Sequence, residues 1–139
     1  MKIEKIDHVA ILVKDTEAAG KFFGDLFETK FSPLEDMGRE DVRSIIEPSG
    51  IELIQPLDPN GPTASSLKSR GEGFYVLSLK VSNLDEAMTE MKSRGIRLVD
   101  QVKSKKARAA LYHPKDTYGV IIELVEYETE HALTATIKH

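Results

Sequence analysis

Two stretches of the chain share one pattern, and this pattern decides the fold. Residues 7–19 read Asp-His-Val-Ala-Ile-Leu-Val-Lys-Asp-Thr-Glu-Ala-Ala, and residues 75–87 read Tyr-Val-Leu-Ser-Leu-Lys-Val-Ser-Asn-Leu-Asp-Glu-Ala. The apolar alternation predicts a β-strand, and the Asp or Asn that follows is a residue type that caps helix N-termini. At an offset of 68 residues the matched pairs are Val9 and Leu77, Ile11 and Leu79, Val13 and Val81, Asp15 and Asn83, and Ala19 and Ala87.

The helix in each copy has apolar side chains at helical spacing. The first helix is predicted over residues 16–27, with one apolar stripe that packs inward, made of Ala18, Ala19, Phe22, Phe23, Leu26 and Phe27. The second helix is predicted over residues 84–94, with inward side chains from Leu84, Ala87, Met88 and Met91. Gly95 then occupies the position where a residue with left-handed backbone conformation commonly ends a helix.

Three extended segments follow each predicted helix. They lie near residues 30–33, 41–47 and 51–56 in the first half, and near residues 96–99, 106–113 and 120–126 in the second. The last strands also match each other, Ile51-Glu-Leu-Ile against Ile122-Glu-Leu-Val. We therefore predict an α+β fold of two tandem βαβββ modules. Module one spans residues 3–56, a connector 57–72 with one helical turn after Pro62, module two 73–126, and a tail 127–139.

Length and composition exclude several classes of protein. A chain of 139 residues favours one domain, and 40% hydrophobic with 30% charged residues is typical of a globular protein. The absence of cysteine excludes disulfides, thiol nucleophiles and thiolate metal sites. A net charge of −4 without a basic run argues against a nucleic-acid partner. With no signal-peptide pattern and no membrane-spanning apolar run, the sequence predicts a cytoplasmic protein without a membrane partner.

Three polar residues occupy matching points of the repeat. Strand alternation puts His8 on the face opposite Val9, toward the space that the sheet encloses. Glu52 and Glu123 are single carboxylates within apolar strands, where an acid either faces solvent or is buried with a partner. Each of the three, taken alone, is more often a structural or solvated residue. Their placement in a duplicated unit predicts that pseudo-twofold symmetry brings them together in one central cleft.

With these stretches in view, the chain resembles the vicinal oxygen chelate superfamily, whose glyoxalase-like fold pairs two such modules around a central cleft. Within the superfamily it is most similar to the methylmalonyl-CoA epimerases. The resemblance covers residues 3–126. It is carried by Lys5-Ile-Asp-His-Val-Ala-Ile-Leu-Val, Ile51-Glu-Leu-Ile-Gln-Pro-Leu, Arg70-Gly-Glu-Gly and His113-Pro-Lys-Asp-Thr-Tyr-Gly-Val-Ile-Ile-Glu-Leu-Val-Glu.

The resemblance implies a metal site. In members that bind metal, each module gives one ligand from its first strand and one from its last, and the matching residues are His8, Glu52 and Glu123. The fourth position aligns with Val76, which cannot bind a metal. Tyr75 is expected on the opposite face by strand alternation, and Ser78 faces the site but is a poor ligand. The implied cofactor is thus a divalent cation (cobalt, nickel, manganese or zinc) held by three residues.

The resemblance also implies a chemistry, metal-assisted proton transfer on a small vicinal-oxygen substrate such as an acyl-CoA. Glu123 is then the first catalytic candidate and Glu52 the second, in an isomerase or lyase that forms a homodimer. Candidate groups for the substrate's phosphates and carboxylate, each also readable as a solvated side chain, are Lys103, Lys105, Lys106, Arg108 and Arg43. Two other interpretations stay open: a metal-free small-molecule-binding protein with a degenerate metal site, and a domain with no ligand.

Overall fold

The computed structural model describes residues 1–34, 40–104 and 106–128, which form eight strands and three α-helices. The elements of the first half are β1 (Ile3–Leu12), α1 (Thr16–Phe27), β2 (Ser32–Pro33), β3 (Val42–Ile46) and β4 (Ile51–Pro56). Helix α2 (Pro62–Arg70) connects the halves. The second half contains β5 (Gly73–Val81), α3 (Leu84–Ser93), β6 (Leu98–Lys103), β7 (Arg108–Tyr112), a 3₁₀ turn (Pro114–Asp116) and β8 (Ile121–Glu126).

The helix boundaries follow from their capping residues. The Asp15 carboxylate accepts hydrogen bonds from the first-turn N–H groups of α1, and the Asn83 side chain accepts one at the start of α3. Gly95 follows α3 with a positive φ of 74°, as predicted for its C-terminal cap. The connector was predicted to hold one helical turn, but α2 extends over nine residues from a proline in its first turn. Among the described residues, no helix is both long and apolar enough to cross a membrane.

All eight strands belong to one mixed sheet that curls into a half-barrel. Their spatial order is β2-β3-β4-β1-β5-β8-β7-β6. The two first strands, β1 and β5, pair antiparallel at the centre. Each of them also pairs in parallel with the last strand of its own half, β1 with β4 and β5 with β8. The α+β class and the glyoxalase-like fold are therefore confirmed.

The helices cover the outer face of this sheet, but one predicted contact surface is wrong. Helix α3 buries its apolar side as predicted, against a cluster of Val81, Leu84, Ala87, Met91, Ala110, Tyr112 and Leu124. On α1, only Ala19 and Phe23 of the predicted stripe pack against the sheet core. Phe22, Leu26 and Phe27 are 61%, 59% and 50% exposed. The apolar arc of α1 is wider than its contact with the sheet, so most of it faces outward.

The pairing of β1 with β5 has three register shifts, and the repeat relates two of them, one bulge in each strand. Ile6 pairs with Leu79 and His8 with Ser78, so Asp7 is an extra residue in β1. Ala10 pairs with Val76 and Ile11 with Phe74, so Tyr75 is an extra residue in β5. Tyr75 follows Asp7 by 68 residues, the offset of the repeat. A bulge interrupts strand alternation, which explains why both neighbouring pairs, Asp7 with His8 and Tyr75 with Val76, are buried.

Candidate functional site

The structure brings the three predicted site residues together at the centre of the sheet. His8 lies on β1, Glu52 on β4 and Glu123 on β8, each on a strand next to the β1–β5 pair or within it. The imidazole Nε2 of His8 lies 3.2 Å from Glu52 Oε2 and 3.4 Å from Glu123 Oε1. All three residues are buried. One carboxylate from each half of the chain therefore contacts the same imidazole nitrogen.

The other nitrogen of His8, Nδ1, is held by Asp7 and, through it, by Tyr127, neither of which the residue patterns predicted as a site residue. Nδ1 lies 2.7 Å from Asp7 Oδ2, and the Tyr127 hydroxyl donates a hydrogen bond to Asp7 Oδ1. The Lys80 ammonium lies 4.4 Å from the centre of the Tyr127 ring and 3.0 Å from Glu4 Oε2. His8 is therefore bound at both ring nitrogens by acidic side chains.

Asp7 and Tyr127 were missed for different reasons. Strand alternation assigns the neighbour of His8 to the opposite face, and no residue pattern announces the bulge that turns Asp7 inward. Tyr127 directly follows the last predicted strand, in a tail without apolar periodicity. It is nevertheless 8% exposed and packs with Leu111 and Val125. The feature of the sequence that could have indicated the burial of Tyr127 is its position as a large aromatic residue directly after a buried strand.

Burial and neighbouring charges determine the protonation of the site. Burial lowers the pKa of His8, but the hydrogen bonds to Asp7 and Glu52 and the charges of Glu52 and Glu123 outweigh it and hold the pKa well above 6.5. Burial raises the pKa of Glu123, while the His8 charge and a hydrogen bond from Ser78 partly oppose the rise. Burial, with the hydrogen bond to Asp7, also raises the pKa of Tyr127. The phenol thus stays a donor, and the raised pKa of His8 favours a protonated imidazole beside the carboxyl groups of Glu52 and Glu123.

The position that the repeat relates to His8 holds an apolar side chain. Val76 is buried and packs with Ala10, Leu12, Ile54 and Tyr75. The prediction that Tyr75 lies on the opposite face from Val76 is wrong, because the β5 bulge turns both into this cluster. The Tyr75 hydroxyl donates to Ser66 Oγ on α2 at 3.3 Å. Ser78 does face the site, where its hydroxyl donates to Glu123 Oε1 at 2.7 Å.

The basic side chains predicted to bind the substrate's phosphates and carboxylate do not lie beside His8, Glu52 and Glu123. Arg43 pairs in register with Gln55, whose Oε1 accepts a hydrogen bond from the Thr16 N–H, so Arg43 shares the sheet face that α1 covers. There it lines a groove of about 370 Å³ with residues of α1. Arg108 lies 2.8 Å from Asp85 Oδ1 and, with Lys103, lines a hollow of about 190 Å³ at the start of α3. Lys106 is exposed, and Lys105 lies outside the described residues.

One imidazole and two carboxylates are donor types that divalent cations bind. Such ions bind imidazole nitrogen and carboxylate oxygen at about 2.0–2.2 Å, which sets ligand atoms of one ion roughly 3.0–3.5 Å apart. The separations of 3.2 and 3.4 Å around His8 Nε2 fall in this range. Within the described ranges, however, no group of three or more histidine or acidic side chains has a geometry that could hold a metal ion. A cation bound at these residues would take the place of a proton on Nε2, because an imidazole nitrogen must be deprotonated to bind a metal.

Comparison with known proteins identifies the family. The family model of the Glyoxalase/Bleomycin resistance protein/Dioxygenase superfamily matches residues 7–112. The chain belongs to this superfamily, the vicinal oxygen chelate superfamily. The predicted membership of the vicinal oxygen chelate superfamily is thereby confirmed.

Members of the superfamily with sequences similar to this chain include methylmalonyl-CoA epimerases. The mitochondrial methylmalonyl-CoA epimerase of Mus musculus is 31% identical over 130 residues, which cover 88% of this chain and 73% of the mouse protein. The Homo sapiens enzyme is 32% identical over 127 residues, 86% of this chain and 72% of the human protein. The crystal structure of the Mycobacterium tuberculosis methylmalonyl-CoA epimerase matches with a TM-score of 0.78 at 32% identity, covering 92% and 91% of the two chains.

Proposed function

We propose that this chain catalyses an epimerase-type proton transfer on an acyl-CoA, at the carbon next to the thioester carbonyl. The observation that supports this most strongly is the convergence of Glu52 and Glu123, one from each half of the chain, on the His8 imidazole. Similarity to methylmalonyl-CoA epimerases of about one-third identity supports an acyl-CoA as the substrate class.

The two carboxylates supply the acid–base chemistry. A carbon between two carbonyl groups is acidic, and a general base acts best when its pKa is near the working pH. Burial raises the pKa of Glu123 in that direction, and Ser78 fixes one of its oxygens, so Glu123 is the first candidate base. Glu52 reaches the same imidazole from the other half and is the second. The carbon is inverted when one carboxylate takes its proton from one side and the other carboxyl group, protonated beforehand, gives its own proton to the opposite side.

His8, Glu52 and Glu123 are also the residues that we propose to hold a divalent cation such as cobalt, nickel, manganese or zinc. When bound, such a cation stabilises the negative charge that develops on the enolate oxygen. His8 presents Nε2 to the two carboxylates because Nδ1 is taken by Asp7. All three residues are buried, and electrostatic stabilisation is stronger in a site that holds little water.

Deuterium incorporation from D₂O into methylmalonyl-CoA, followed by NMR, tests the proton transfer. With added Co²⁺, the wild-type protein is expected to label the carbon between the thioester and the carboxylate. Glu123→Gln is expected to slow labelling by about 10²–10⁴-fold, the usual effect of losing a general base. Glu126→Gln is the matched control, because Glu126 lies on the same strand but pairs with Arg108 instead of His8. No labelling with cobalt, nickel, manganese or zinc contradicts the proposal.

Val76 favours a second candidate function, a metal-free small-molecule-binding protein on the same scaffold. Its apolar cluster takes the position of a fourth ligand, and the described residues contain no preformed metal group. Calorimetry with methylmalonyl-CoA separates the two functions. Binding that a chelator leaves unchanged, without deuterium labelling, supports the binding protein and contradicts the epimerase.

We also propose that the protein is a homodimer. The exposed apolar side of α1, formed by Phe22, Leu26 and Phe27, supports an interaction through this helix. Light scattering coupled to size-exclusion chromatography is expected to give twice the 15.5 kDa chain mass. A mass of one chain at all concentrations contradicts it.

A further inference from the structure

We propose that Asp7 and Tyr127 act as a positioning pair that holds the His8 imidazole with Nε2 directed at Glu52 and Glu123. The inference rests on the proposed function, because it explains how that site is prepared. It adds two residues that are neither the proposed ligands nor the proposed bases. Both are buried, at 4% and 8% exposure.

Each oxygen of the Asp7 carboxylate contacts a donor. Oδ2 lies 2.7 Å from His8 Nδ1, and Oδ1 accepts the Tyr127 hydroxyl. Because an ionised carboxylate only accepts hydrogen bonds, Nδ1 carries a proton and Nε2 is the nitrogen left to face the site. Rotation of the carboxylate breaks at least one of the two hydrogen bonds. The orientation of the His8 imidazole thus depends on Tyr127, which contacts Asp7 and acts on His8 through it.

Tyr127 is itself anchored in the second half of the chain. Its ring belongs to a buried cluster with Val102, Ala107, Ala109, Leu111 and Val125. The Lys80 ammonium lies 4.4 Å from the ring centre, on the site side of β5, and is paired with Glu4 at 3.0 Å. Through Tyr127 and Asp7, the packing of the second half therefore fixes the histidine of the first half.

The other bulge supplies a natural comparison. Tyr75 occupies the position that the repeat relates to Asp7, next to Val76 in place of a histidine. Its hydroxyl bonds to Ser66 on α2, and the residue is as buried as Tyr127, at 8%. Tyr75→Phe and Tyr127→Phe thus each delete one buried phenol hydroxyl. Only the second removes a hydrogen bond from Asp7.

The test measures solvent exchange of the His8 Nδ1–H by NMR in the metal-free protein. In Tyr127→Phe, the exchange is expected to be about tenfold or more faster, because the Asp7 carboxylate loses one of its anchors and the hydrogen bond to Nδ1 opens more often. Tyr75→Phe is expected to match the wild type. Asp7→Asn, which keeps the side-chain size but removes the charge, is expected to accelerate exchange as well. Equal exchange in all four proteins overturns the positioning role.

Calorimetric titration with Co²⁺ separates this inference from the proposed function. If the wild type binds Co²⁺, Tyr127→Phe is expected to weaken binding by about 10–100-fold and Tyr75→Phe to leave it unchanged. Equal affinities in both variants overturn the positioning pair while the metal proposal stands. If the wild type binds no Co²⁺ but Nδ1–H exchange still differs as expected, the metal proposal fails and the positioning pair stands.

Discussion

At His8, a single buried imidazole contacts three acidic side chains, Asp7, Glu52 and Glu123. Desolvation of so many charges is costly, and it is offset here because positive and negative groups are paired at hydrogen-bond distance. The raised pKa of His8 favours a proton on this imidazole, which lies beside the carboxyl groups of Glu52 and Glu123. This local balance is the basis of the acid–base chemistry that we propose.

The Ser78 hydroxyl lowers the pKa of one of these carboxyl groups, that of Glu123. This hydroxyl donates to Glu123 Oε1 and stabilises the ionised form, so it holds the Glu123 pKa below the value that burial alone would set. In Ser78→Ala the Glu123 pKa is expected to rise further. The ¹³C shift of the Glu123 carboxyl, followed against pH in the metal-free protein, measures this. Ser93→Ala, on the exposed side of α3, is the control, and an unchanged or lower Glu123 pKa in Ser78→Ala contradicts the assignment.

Glu47 is a buried carboxylate with a structural role. Burial raises its pKa, but donors from Ser49, Ile51 and Thr29 outweigh this and lower it below 4.5. Its stabilisation is therefore complete above pH 4.5 and is lost as the pH falls through the lowered pKa. At pH 7, Glu47→Gln is expected to reduce the free energy of unfolding by about 1–3 kcal/mol.

Chemical denaturation at several pH values measures the Glu47 contribution. The difference between Glu47→Gln and the wild type is expected to shrink in acid, where the wild-type carboxylate is protonated too. Glu86→Gln, an exposed control on α3, is expected to stay within about 0.5 kcal/mol of the wild type. A difference for Glu47→Gln that grows as the pH falls contradicts the sign.

Among the elements, the turn before β4 packs closely against the β1 backbone at Asp7 and His8. Gly50 has a φ of +105°, and a Cβ there would lie 3.1 Å from the Asp7 carbonyl oxygen and 3.5 Å from His8 Cβ. Gly119 also has a positive φ, of +86°, but open space around it. Gly50→Ala is expected to lower the free energy of unfolding by about 1–3 kcal/mol, and by more than Gly119→Ala. Urea denaturation measures both, and equal effects would show that the contact with β1 is unimportant.

The regular elements were predictable from residue patterns, and the irregular ones were not. Asp15, Asn83 and Gly95 marked helix ends through local hydrogen bonding and backbone freedom, which act over a few residues. The length of α2 was missed because residues 62–70 have little apolar periodicity, and packing of Leu67 against the sheet stabilises the helix instead. The bulges at Asp7 and Tyr75 arise from how β1 and β5 pair, which no single strand encodes.

In the whole molecule, the duplicated sequence predicted that His8, Glu52 and Glu123 meet, because each lies at a repeated place in the two halves. The same symmetry did not predict Asp7 or Tyr127, since both act through a contact between the halves. It also did not predict that Phe22, Leu26 and Phe27 of α1 are exposed, because apolar periodicity defines a helix face but not the element that packs against it. Sequence symmetry thus predicted that these three side chains lie together, and the pairing of the two halves adds Asp7 and Tyr127 to them.

The symmetry also predicts how the site responds to Val76→His. This substitution puts a second imidazole at the position that the repeat relates to His8 and is expected to strengthen Co²⁺ binding in calorimetry. It is expected to cost roughly 1–3 kcal/mol of stability, because a polar ring replaces valine in a buried apolar cluster. Val76→Thr, similar in size without a ligand nitrogen, is the control. Equal Co²⁺ affinity in Val76→His and Val76→Thr contradicts the symmetric placement.

Cobalt uptake tests most directly whether His8, Glu52 and Glu123 form one functional site. Untagged protein is titrated with Co²⁺, and bound metal is measured by mass spectrometry after gel filtration, beside His8→Ala, Glu52→Ala and Glu123→Ala. We expect about one ion per chain in the wild type and none in the variants, because each removes one of three ligands. No uptake by the wild type, or full uptake by His8→Ala, would contradict a metal-assisted site at these residues.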